Sequence, residues 1–400
     1  MTPRRILYVH HASVLGGAPR SLAFLIKQLD KERFTPIVLM PKRPINGDVR
    51  KLFSDAGATV VEERHIRPFG GAYPAECKTI AKRAYALLSA IPTMLAVRKH
   101  VRQLDPDIVH VNTVVLPFAL VGSFLGRRRT PRVTHIREVV LSNWWGRSLA
   151  ALNRWFTDFF IGIDGTGLDS VGAVDAKRET VMNSVNLDDY RSSEQQRLEA
   201  RREFGWSDDR VVFLSLSRIA PSNGIEELSD LVASCKDELS QRAMFAVAGF
   251  GNDVTGYEDT IRDRLDSLPN CQTLPFSSDV IRLISASDVI IAPFVTSHSA
   301  RSVLEGAAVG RPAMVSNVPN LTEMIRPEES GFIFSLDSRE QFVLTVNRFC
   351  DDERREIMSR QALKVAEERF NIADNTKRIE QIYFDLLGDD PTHDQTGSGA

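Results

Sequence analysis

The sequence predicts an α/β protein built from two doubly wound domains that face each other across a cleft. Its 400 residues are too many for one ordinary core and suggest about two domains. Short runs rich in Val, Ile and Leu alternate with helix-length segments, which is typical of parallel sheets covered on both faces. The alternation starts again at residue 211, after a polar helical stretch, and this restart predicts the second domain.

Each half of the chain contains six predicted strands. In the first half they are 4–10, 36–40, 58–63, 107–112, 132–136 and 160–164. In the second half they are 211–217, 243–249, 271–276, 288–294, 313–317 and 331–336. Because ligands bind beyond the carboxyl ends of the strands in open α/β sheets, the candidate site residues are those that directly follow a strand.

The same pattern predicts the domain boundaries. Residues 1–188 form the N-terminal domain and residues 189–370 the C-terminal domain. The helical segment 371–388 is expected to pack back on the first domain. Residues 389–400 are polar and contain glycine, so we expect a disordered tail.

The net charge of −2 conceals an asymmetry between the two halves. Residues 1–200 carry 29 Lys and Arg against 19 Asp and Glu, whereas residues 201–400 carry 21 against 33. A basic first half indicates an anionic partner, for which an anionic membrane surface and a phosphorylated substrate serve equally well. Nucleic acid is not expected, because the aromatic-interleaved motifs of RNA-binding modules are missing.

The cysteines and the apolar runs indicate the cellular compartment. The four cysteines are far apart and show no metal-like spacing, which favours reduced thiols in a cytoplasmic protein and no bound metal. No apolar run reaches the roughly 18–20 residues of a membrane span. The N-terminus has only a strand-length apolar run, so a signal peptide is not expected.

Two strand ends in the first half carry candidate residues. Gly16 and Gly17 link the first strand to a helix and can let the backbone approach a phosphate at the helix N-terminus. The alternative is a strand-to-helix turn that needs a positive φ. His135, Arg137 and Glu138 lie at the end of the strand 132–136, and three polar groups there favour a site over a structural histidine alone.

Two strand ends in the second half resemble phosphate-binding loops. Arg218 follows the strand 211–217, and Asn223 and Gly224 open the next helix; an Arg there can pair with a diphosphate. The alternative is a surface arginine with an ordinary N-cap at Ser222 or Asn223. Gly249 and Gly251 form a G-x-G after the strand 243–249, for which a nucleotide loop and a plain turn are equally good interpretations.

A carboxylate, Glu305, lies in the first turns of the helix after the strand 288–294. "SVLE" at 302–305 matches a capping box, in which Ser302 caps the helix and Glu305 folds back on its amide. The functional alternative is a carboxylate that accepts hydrogen bonds from sugar hydroxyls, while the first-turn amides hold a phosphate.

Segment 77–104 is predicted to form a basic, amphipathic surface helix. It carries six Lys and Arg and no acid over 28 residues, with apolar residues at helical spacing. The residues expected to contact anionic lipid or the acceptor are Lys78, Lys82, Arg83, Arg98, Lys99, Trp144 and Trp145. The alternative is a solvated helix face beside core aromatics.

Taken together and in order, these segments resemble the family 4 retaining glycosyltransferases of the GT-B fold, which has two Rossmann-like domains. "ILYVHHASVLGGAPRSL" is similar to the N-terminal glycine loop of that family, "VTHIREV" to its His-containing strand end, and "VMNSVNLDDY" to its N-G-V-D segment. "SLSRIAPSNGIEEL" resembles its G-R-x-x-P-x-K-G element. "DVIIAPFVTSHSARSVLEGAAVGRPAMVSN" resembles the element with two glutamates eight positions apart. The resemblance spans roughly residues 4–385.

The resemblance implies metal-independent transfer of a sugar, with retention, from a nucleotide-sugar donor to a glycan or lipid-linked acceptor. The first domain would be the acceptor side, with Gly16 and Gly17 closing over the donor and His135 near the reacting sugar. Glu305 would hold the donor ribose. The diphosphate would be held by Arg218 and the amides around Arg301 and Ser302. The donor would be UDP- or GDP-linked, and the pathway would be surface polysaccharide or glycolipid assembly at the inner face of the membrane.

Two positions depart from the family pattern. Asn223 replaces a phosphate-binding Lys, and Ser297 replaces the first of the two glutamates. Losing one charged contact at a transition state can cost about 3–4 kcal/mol, or roughly 10²–10³ in rate. The departures imply a different donor, compensation by Arg301 or His298, or lost activity. The alternative function is therefore a catalytically inactive GT-B scaffold that binds a nucleotide or glycan.

Overall fold

The computed structural model describes residues 2–12, 15–72, 79–251, 256–297 and 299–389. The chain divides into two compact units. Unit 1 comprises Met1–Asn183 with Ile372–Ala400, and unit 2 comprises Ser184–Asn371. The chain therefore enters unit 2 a few residues before the boundary predicted at 188.

Unit 1 contains a seven-stranded sheet with helices interleaved along the chain. The strands are β1 Arg4–Val9, β2 Phe34–Pro41, β3 Thr59–Glu63, β4 Ile108–Val111, β5 Arg132–Ile136, β6 Phe159–Gly162 and β7 Arg178–Thr180. The helices are α1 Gly17–Gln28, α2 Gly47–Asp55, α3 Ile80–Leu104, α4 Pro117–Gly126, α5 Trp144–Phe156 and α6 Gly165–Val171, with α16 Ile372–Leu387 returning from unit 2. The strand order is β3-β2-β1-β4-β5-β6-β7.

Unit 2 repeats this architecture with six strands. They are β8 Val211–Leu216, β9 Ala243–Phe250, β10 Cys271–Pro275, β11 Val289–Ala292, β12 Ala313–Ser316 and β13 Gly331–Phe334. The helices are α7 Glu194–Phe204, α8 Ile225–Ser234, α9 Lys236–Leu239, α10 Tyr257–Asp266, α11 Val280–Ala286, α12 Arg301–Ala308, α13 Pro319–Thr322, α14 Arg339–Phe349 and α15 Asp352–Val365. The strand order is β10-β9-β8-β11-β12-β13.

The fold class predicted from the sequence, α/β with two doubly wound domains, is confirmed. All paired strands of the described chain run parallel. Each sheet reverses its strand order once, between β1 and β4 in unit 1 and between β8 and β11 in unit 2. The sequence analysis missed β7, because its three residues, "RET", are polar and half-exposed at a sheet edge.

The C-terminal helix α16 contributes to the core of unit 1. Tyr383 is fully buried within an apolar cluster that includes Ile6 and Phe34. Its hydroxyl lies 2.7 Å from His110 Nδ1 and 3.2 Å from the hydroxyl of Tyr8. A buried phenol hydroxyl without hydrogen-bond partners would cost folding free energy. These contacts therefore fix the position of α16 in the core of unit 1.

Two expectations about the chain need correction. Residue 389 was expected to begin a disordered tail, but the Arg4 guanidinium donates to both carboxylate oxygens of Asp389, at 2.9 and 2.8 Å. The rest of that predicted tail, 390–400, lies outside the described residues. No membrane-length apolar run was expected, yet α3 is long and apolar enough to cross a bilayer by length and composition. The reason is that its charged residues lie near its two ends.

A buried ion cluster joins α7 to the sheet of unit 2. Asp288, which directly precedes β11, accepts hydrogen bonds from Arg197 at 2.8 Å, from Arg201 at 3.0 Å and from the amide of Val212 at 2.8 Å. Burial alone would raise the pKa of Asp288, but Arg201, the Val212 amide and Arg197 together lower it. The carboxylate is therefore charged and fully bonded inside the fold.

Replacing Asp288 with Asn is expected to reduce the free energy of unfolding by about 3–5 kcal/mol, because two largely buried guanidinium groups lose their shared buried counter-charge and keep only the exposed carboxylates of Glu194 and Asp208. Urea unfolding of the purified protein measures this change. The matched control is Glu356→Gln, which removes an exposed ion pair with Arg360 (2.5 Å) and should change stability by less than about 1 kcal/mol. Equal losses in the two variants would show that the cluster is not the anchor of α7.

Candidate active site

In unit 2 the site lies where the strand order reverses, between β8 and β11. Both strands are parallel, so the segments that follow them emerge at the same edge of the sheet. These segments also contact each other, since the amide of Val295 donates to the carbonyl oxygen of Ser222 at 3.1 Å. Arg218 follows β8, and α12, with Arg301 and Glu305, follows β11.

The loop after β8 is shaped by Asn223 and Gly224. Gly224 has a φ of 68°, and a Cβ there would overlap the carbonyl oxygen of Pro293, so only glycine fits. The buried Asn223 donates from Nδ2 to the carbonyl oxygen of Arg218 at 2.7 Å, and Ser222 donates to its Oδ1 at 3.1 Å. Asn223, predicted to bind the donor, thus holds the loop together. The side chain of Arg218 is left exposed to solvent.

The G-x-G after β9 has a different explanation for each glycine. Gly249 has a φ of 134°, and a Cβ there would overlap the carbonyl oxygen of Ser217, so this glycine is required by the close approach of β9 to the end of β8. Gly251 has a φ of 127° and donates its amide to Glu258 Oε2 at 2.6 Å. Both glycines are therefore accounted for by the backbone, in agreement with the plain-turn interpretation.

The capping-box interpretation of Ser302 and Glu305 is wrong. The helix α12 begins at Arg301, its N-cap is Ala300, and no side chain caps it. Ser302 is buried inside the first turn. Glu305 Oε1 instead accepts from Arg301 Nε at 3.0 Å and from the Tyr190 hydroxyl at 3.1 Å. The sequence pattern failed because the helix starts two residues earlier than the pattern requires, at Arg301 and not at Val303.

The second carboxylate oxygen of Glu305, Oε2, accepts no hydrogen bond from the part of the chain that the structure describes. The residue is only 8% exposed, so this oxygen has an unused acceptor capacity at the edge of the site. Ser297, the position of the missing first glutamate, is exposed in the loop before α12. His298, the other suggested compensating residue, lies outside the described residues.

Sequence reasoning missed Tyr190, which lies in a short 3₁₀ helix, Leu187–Tyr190. Burial, and then the negative charge of Glu305, raise the pKa of Tyr190, so the phenol stays protonated and donates to the carboxylate. The only sequence signal was an aromatic residue at the end of the polar "VNLDDY" segment. Tyr190 and Arg301 therefore fix one oxygen of Glu305 and orient the other.

Replacing Tyr190 with Phe is expected to weaken donor binding by about tenfold, because the lost hydrogen bond leaves the Glu305 carboxylate less well oriented. Isothermal titration with the donor found in the screen proposed below measures the change. The matched control is Tyr257→Phe, which removes a 3.4 Å contact to Glu226 on α8. If both variants bind the donor equally well, Tyr190 does not position Glu305.

In unit 1 the corresponding strand ends are those of β1, β4 and β5. Gly16 is the N-cap of α1, with an extended φ of −158°, and Gly17 is the first helical residue. The alternative interpretation, a turn that needs a positive φ, is therefore wrong for both glycines. A Cβ at either position would meet no heavy atom of the described residues within 4 Å. The fold of unit 1 does not require these glycines.

His135 is the penultimate residue of β5 and lies in a buried polar cluster. It is 3% exposed, neither ring nitrogen has a hydrogen-bond partner among the described residues, and its ring centroid lies 5.4 Å from that of His110. Burial, and then the charge of Arg137, hold the pKa of His135 well below its ordinary value, so the ring is neutral at pH 7.

The two polar residues after His135 hold the neighbouring loops. Arg137 donates from Nε to Asn112 Oδ1 at 2.8 Å, and burial lowers its pKa to about 10, which leaves it charged. Glu138 accepts from the Thr113 hydroxyl at 2.9 Å and from the Val114 amide at 3.3 Å. The sequence analysis missed Asn112, although it ends the predicted strand 107–112.

The residues predicted to contact lipid or the acceptor do not share one environment. Lys82 and Lys99 are exposed, and Arg83 and Arg98 are half-buried, all on α3. Trp144 is 55% exposed, but Trp145 is 2% exposed and stacks on Phe69 with ring centroids 4.4 Å apart. The prediction that Trp145 contacts lipid or the acceptor is therefore wrong, because Trp145, one position after Trp144 on α5, points into the core. Lys78 lies outside the described residues.

The two doubly wound units define a fold class, the GT-B fold. The structure is similar to a glycosyltransferase from Rickettsia africae, with a TM-score of 0.78, 16% identity and coverage of 98% of this chain and 100% of that one. It is also similar to Anabaena HepE in complex with UDP and glucose, with a TM-score of 0.74, 17% identity and coverage of 95% and 99%. At these identities the likeness shows the fold.

The sequence comparison finds a family match within unit 2. Residues 196–365 match the model of the glycosyl transferases group 1 family. A curated relative is the Escherichia coli UDP-Gal:alpha-D-GlcNAc-diphosphoundecaprenol alpha-1,3-galactosyltransferase, 21% identical over 53% of this chain and 55% of that protein. The chain spans about half the length of the first curated relatives that it matches.

Proposed function

We propose that this protein is a retaining glycosyltransferase that transfers a sugar from a UDP- or GDP-linked donor to a glycan or lipid-linked acceptor. We place it in surface polysaccharide or glycolipid assembly, on the cytoplasmic side of the membrane. The family segment in unit 2 supports sugar transfer, and the family 4 resemblance supports retention. The curated galactosyltransferase relative, whose name describes a diphosphoundecaprenol acceptor, supports a lipid-linked acceptor.

The observation that carries the proposal is the state of Glu305. One oxygen is held by Arg301 and Tyr190, and the other accepts no hydrogen bond from the described residues. A carboxylate held in this way is suited to accept hydrogen bonds from the two neighbouring hydroxyls of a ribose.

The donor diphosphate would bind beside Glu305. The N-cap residue of α12, Ala300, makes no side-chain cap, and a helix N-terminus favours an anion through its first amides and the helix dipole. Arg218 is exposed at the neighbouring strand end and brings a permanent positive charge. Negative charge develops on the departing phosphate during sugar transfer, so these groups would stabilise the transition state.

Metal independence is part of the proposal. The described ranges contain no group of three or more His, Cys, Asp or Glu side chains placed to hold a metal ion. We assign the phosphate charge to Arg218 and to the amides of α12, which follow the neighbouring strands β8 and β11. In unit 1, Gly16 and Gly17 support a ligand close to the backbone, since nothing in the described fold requires glycine there.

The two departures from the family pattern bear on which donor is used. Asn223 is engaged with its own loop and Ser297 carries no charge, so the site has fewer charged contacts than the family pattern predicts. Arg301 lies four residues before Glu305 and supplies a cation next to the carboxylate. We propose that Arg301 compensates in part for the lysine replaced by Asn223.

The test is a thermal-shift screen of the full chain with UDP- and GDP-sugars, followed by turnover assays with the ligands that raise the melting temperature. A ligand at about 100 times its Kd should stabilise the native state by about 2.7 kcal/mol. NMR of the product's anomeric signal tests retention, and activity in excess EDTA tests metal independence.

The outcomes separate the alternatives. Turnover of one donor that is lost in Glu305→Ala supports the proposal. Donor binding without turnover, with any acceptor preparation, would favour the inactive scaffold. If no nucleotide sugar shifts the melting temperature, the assignment of a donor site to unit 2 is wrong.

A further inference from the structure

Helix α3 in unit 1 has two apolar faces, and only one of them packs inside the protein. The buried face contains Ala86, Ala90, Thr93, Val97 and Val101. This face packs against α4, where a Cβ on Gly122 would overlap the carbonyl oxygen of Met94 and one on Gly126 would meet Val101 at 3.0 Å. The two glycines let the helix backbones approach closely, so α3 is held firmly in the fold.

The second face of α3 is apolar and exposed. Its large side chains are Ile80, Leu87, Leu88, Ile91 and Leu95, exposed by 84, 55, 77, 62 and 49%. Their spacing of 7, 8, 11 and 15 residues from Ile80 places them in one stripe, about 22 Å long at 1.5 Å per residue. Single exposed apolar residues are normal, but a continuous stripe of this kind marks an interaction surface.

Basic residues and one tryptophan surround this apolar stripe. Between Ile80 and Leu104 the helix carries five Lys and Arg and no acidic residue. Arg98 and Arg102 continue the line of the stripe, 18 and 22 residues after Ile80. At the other end, the Arg83 guanidinium lies 5.4 Å from the ring centroid of Trp144, which is half-exposed. Indole rings and basic side chains are enriched at the membrane interface.

We propose that the exposed stripe of α3, with Trp144, binds the surface of an anionic lipid bilayer with the helix lying in the membrane plane. The apolar side chains would enter the boundary between headgroups and acyl chains, and the basic residues would contact the anionic headgroups. A membrane-spanning orientation is disfavoured, because α3 would have to leave its close contact with Gly122 and Gly126 of α4.

The charges of the helix favour lipid over a second copy of the chain. In a symmetric dimer, the same patch would face itself and bring the basic residues of both copies together without acidic partners on α3. An anionic bilayer offers both an apolar phase and negative charge. This proposal does not depend on the proposed chemistry, since binding is measured without donor, acceptor or turnover.

The test is co-sedimentation of the full chain with vesicles of phosphatidylcholine, with or without about 30 mol % phosphatidylglycerol. We expect binding to the anionic vesicles at about 50 mM salt and a marked loss at about 500 mM, because the electrostatic part is screened. Brominated lipids should quench tryptophan fluorescence in the bound state, and Trp144→Phe should reduce that quenching.

The decisive variant is Leu88→Glu with Ile91→Glu, which should weaken binding to the anionic vesicles by at least about tenfold. Both side chains are exposed, so the melting temperature should change little. The matched control is Leu344→Glu, an exposed leucine on α14 of unit 2, which should bind like the wild type. Unchanged binding by the double variant would overturn the proposal. The proposal would also be overturned if the wild type is a dimer in solution that does not bind vesicles, and if the double variant is a monomer.

Discussion

Replacing Arg218 with Ala is expected to lower kcat/KM for sugar transfer by about 10²–10³-fold, or about 3–4 kcal/mol of transition-state stabilisation. The loss should be mainly in kcat, because the charge on the departing phosphate grows as the sugar–phosphate bond breaks. The side chain is exposed and the loop is held by Asn223 and Gly224, so the melting temperature should stay close to that of the wild type.

Two further variants make this result specific. Arg218→Lys keeps the charge but not the bidentate geometry and should recover part of the lost rate. Arg360→Ala removes another exposed arginine of unit 2, on α15, and should leave the rate unchanged. An Arg218→Ala enzyme as active as Arg360→Ala would mean that the guanidinium does not contact the diphosphate in the transition state.

Unit 1 is expected to lose stability steeply below about pH 6.5, the ordinary pKa of histidine. Burial lowers the pKa of His11 to about 4 and that of His110 to about 3, and it lowers those of His10 and His135 well below the ordinary value. In this pH range the unfolded chain binds protons that the folded chain does not. Each histidine should therefore remove up to about 1.4 kcal/mol of unfolding free energy per pH unit.

Tryptophan fluorescence can follow unit 1 separately from unit 2. Three of the four tryptophans lie in unit 1, so in Trp206→Phe the thermal unfolding signal comes from unit 1 alone. We expect a much lower melting temperature at pH 5.5 than at pH 7.5, and a smaller change in a variant that also carries His135→Leu. If acid leaves the melting temperature of unit 1 unchanged, the buried histidines are not neutral in the folded state.

The strand pattern predicted the architecture because a buried parallel strand is a near-continuous apolar run in the sequence. This run can be recognised without knowing which strands pair with it. Every predicted strand was found within a few residues, including β11, whose core "VIIA" is fully buried. The missed strand β7 is polar and lies at the sheet edge, where little apolar surface is buried. Burial on both faces is therefore what made the other strands predictable.

Local patterns were less informative about individual side chains. "SVLE" matched a capping box, but α12 begins at Arg301, and Glu305 bonds to Tyr190 from 115 residues earlier in the chain. Trp144 and Trp145 are adjacent, yet one is exposed and the other stacks on Phe69. Both differences arise because the environment of a helix residue depends on the elements packed against that helix.

The sequence alone determined the class of this fold, the strand ends where polar residues follow, and the basic character of α3, because each depends on local composition and periodicity. Only the tertiary structure decided which oxygen of Glu305 is free, that Asn223 serves its own loop, and which face of α3 is left exposed. These features depend on contacts between residues that are distant in the chain, and the chain must fold before such contacts exist.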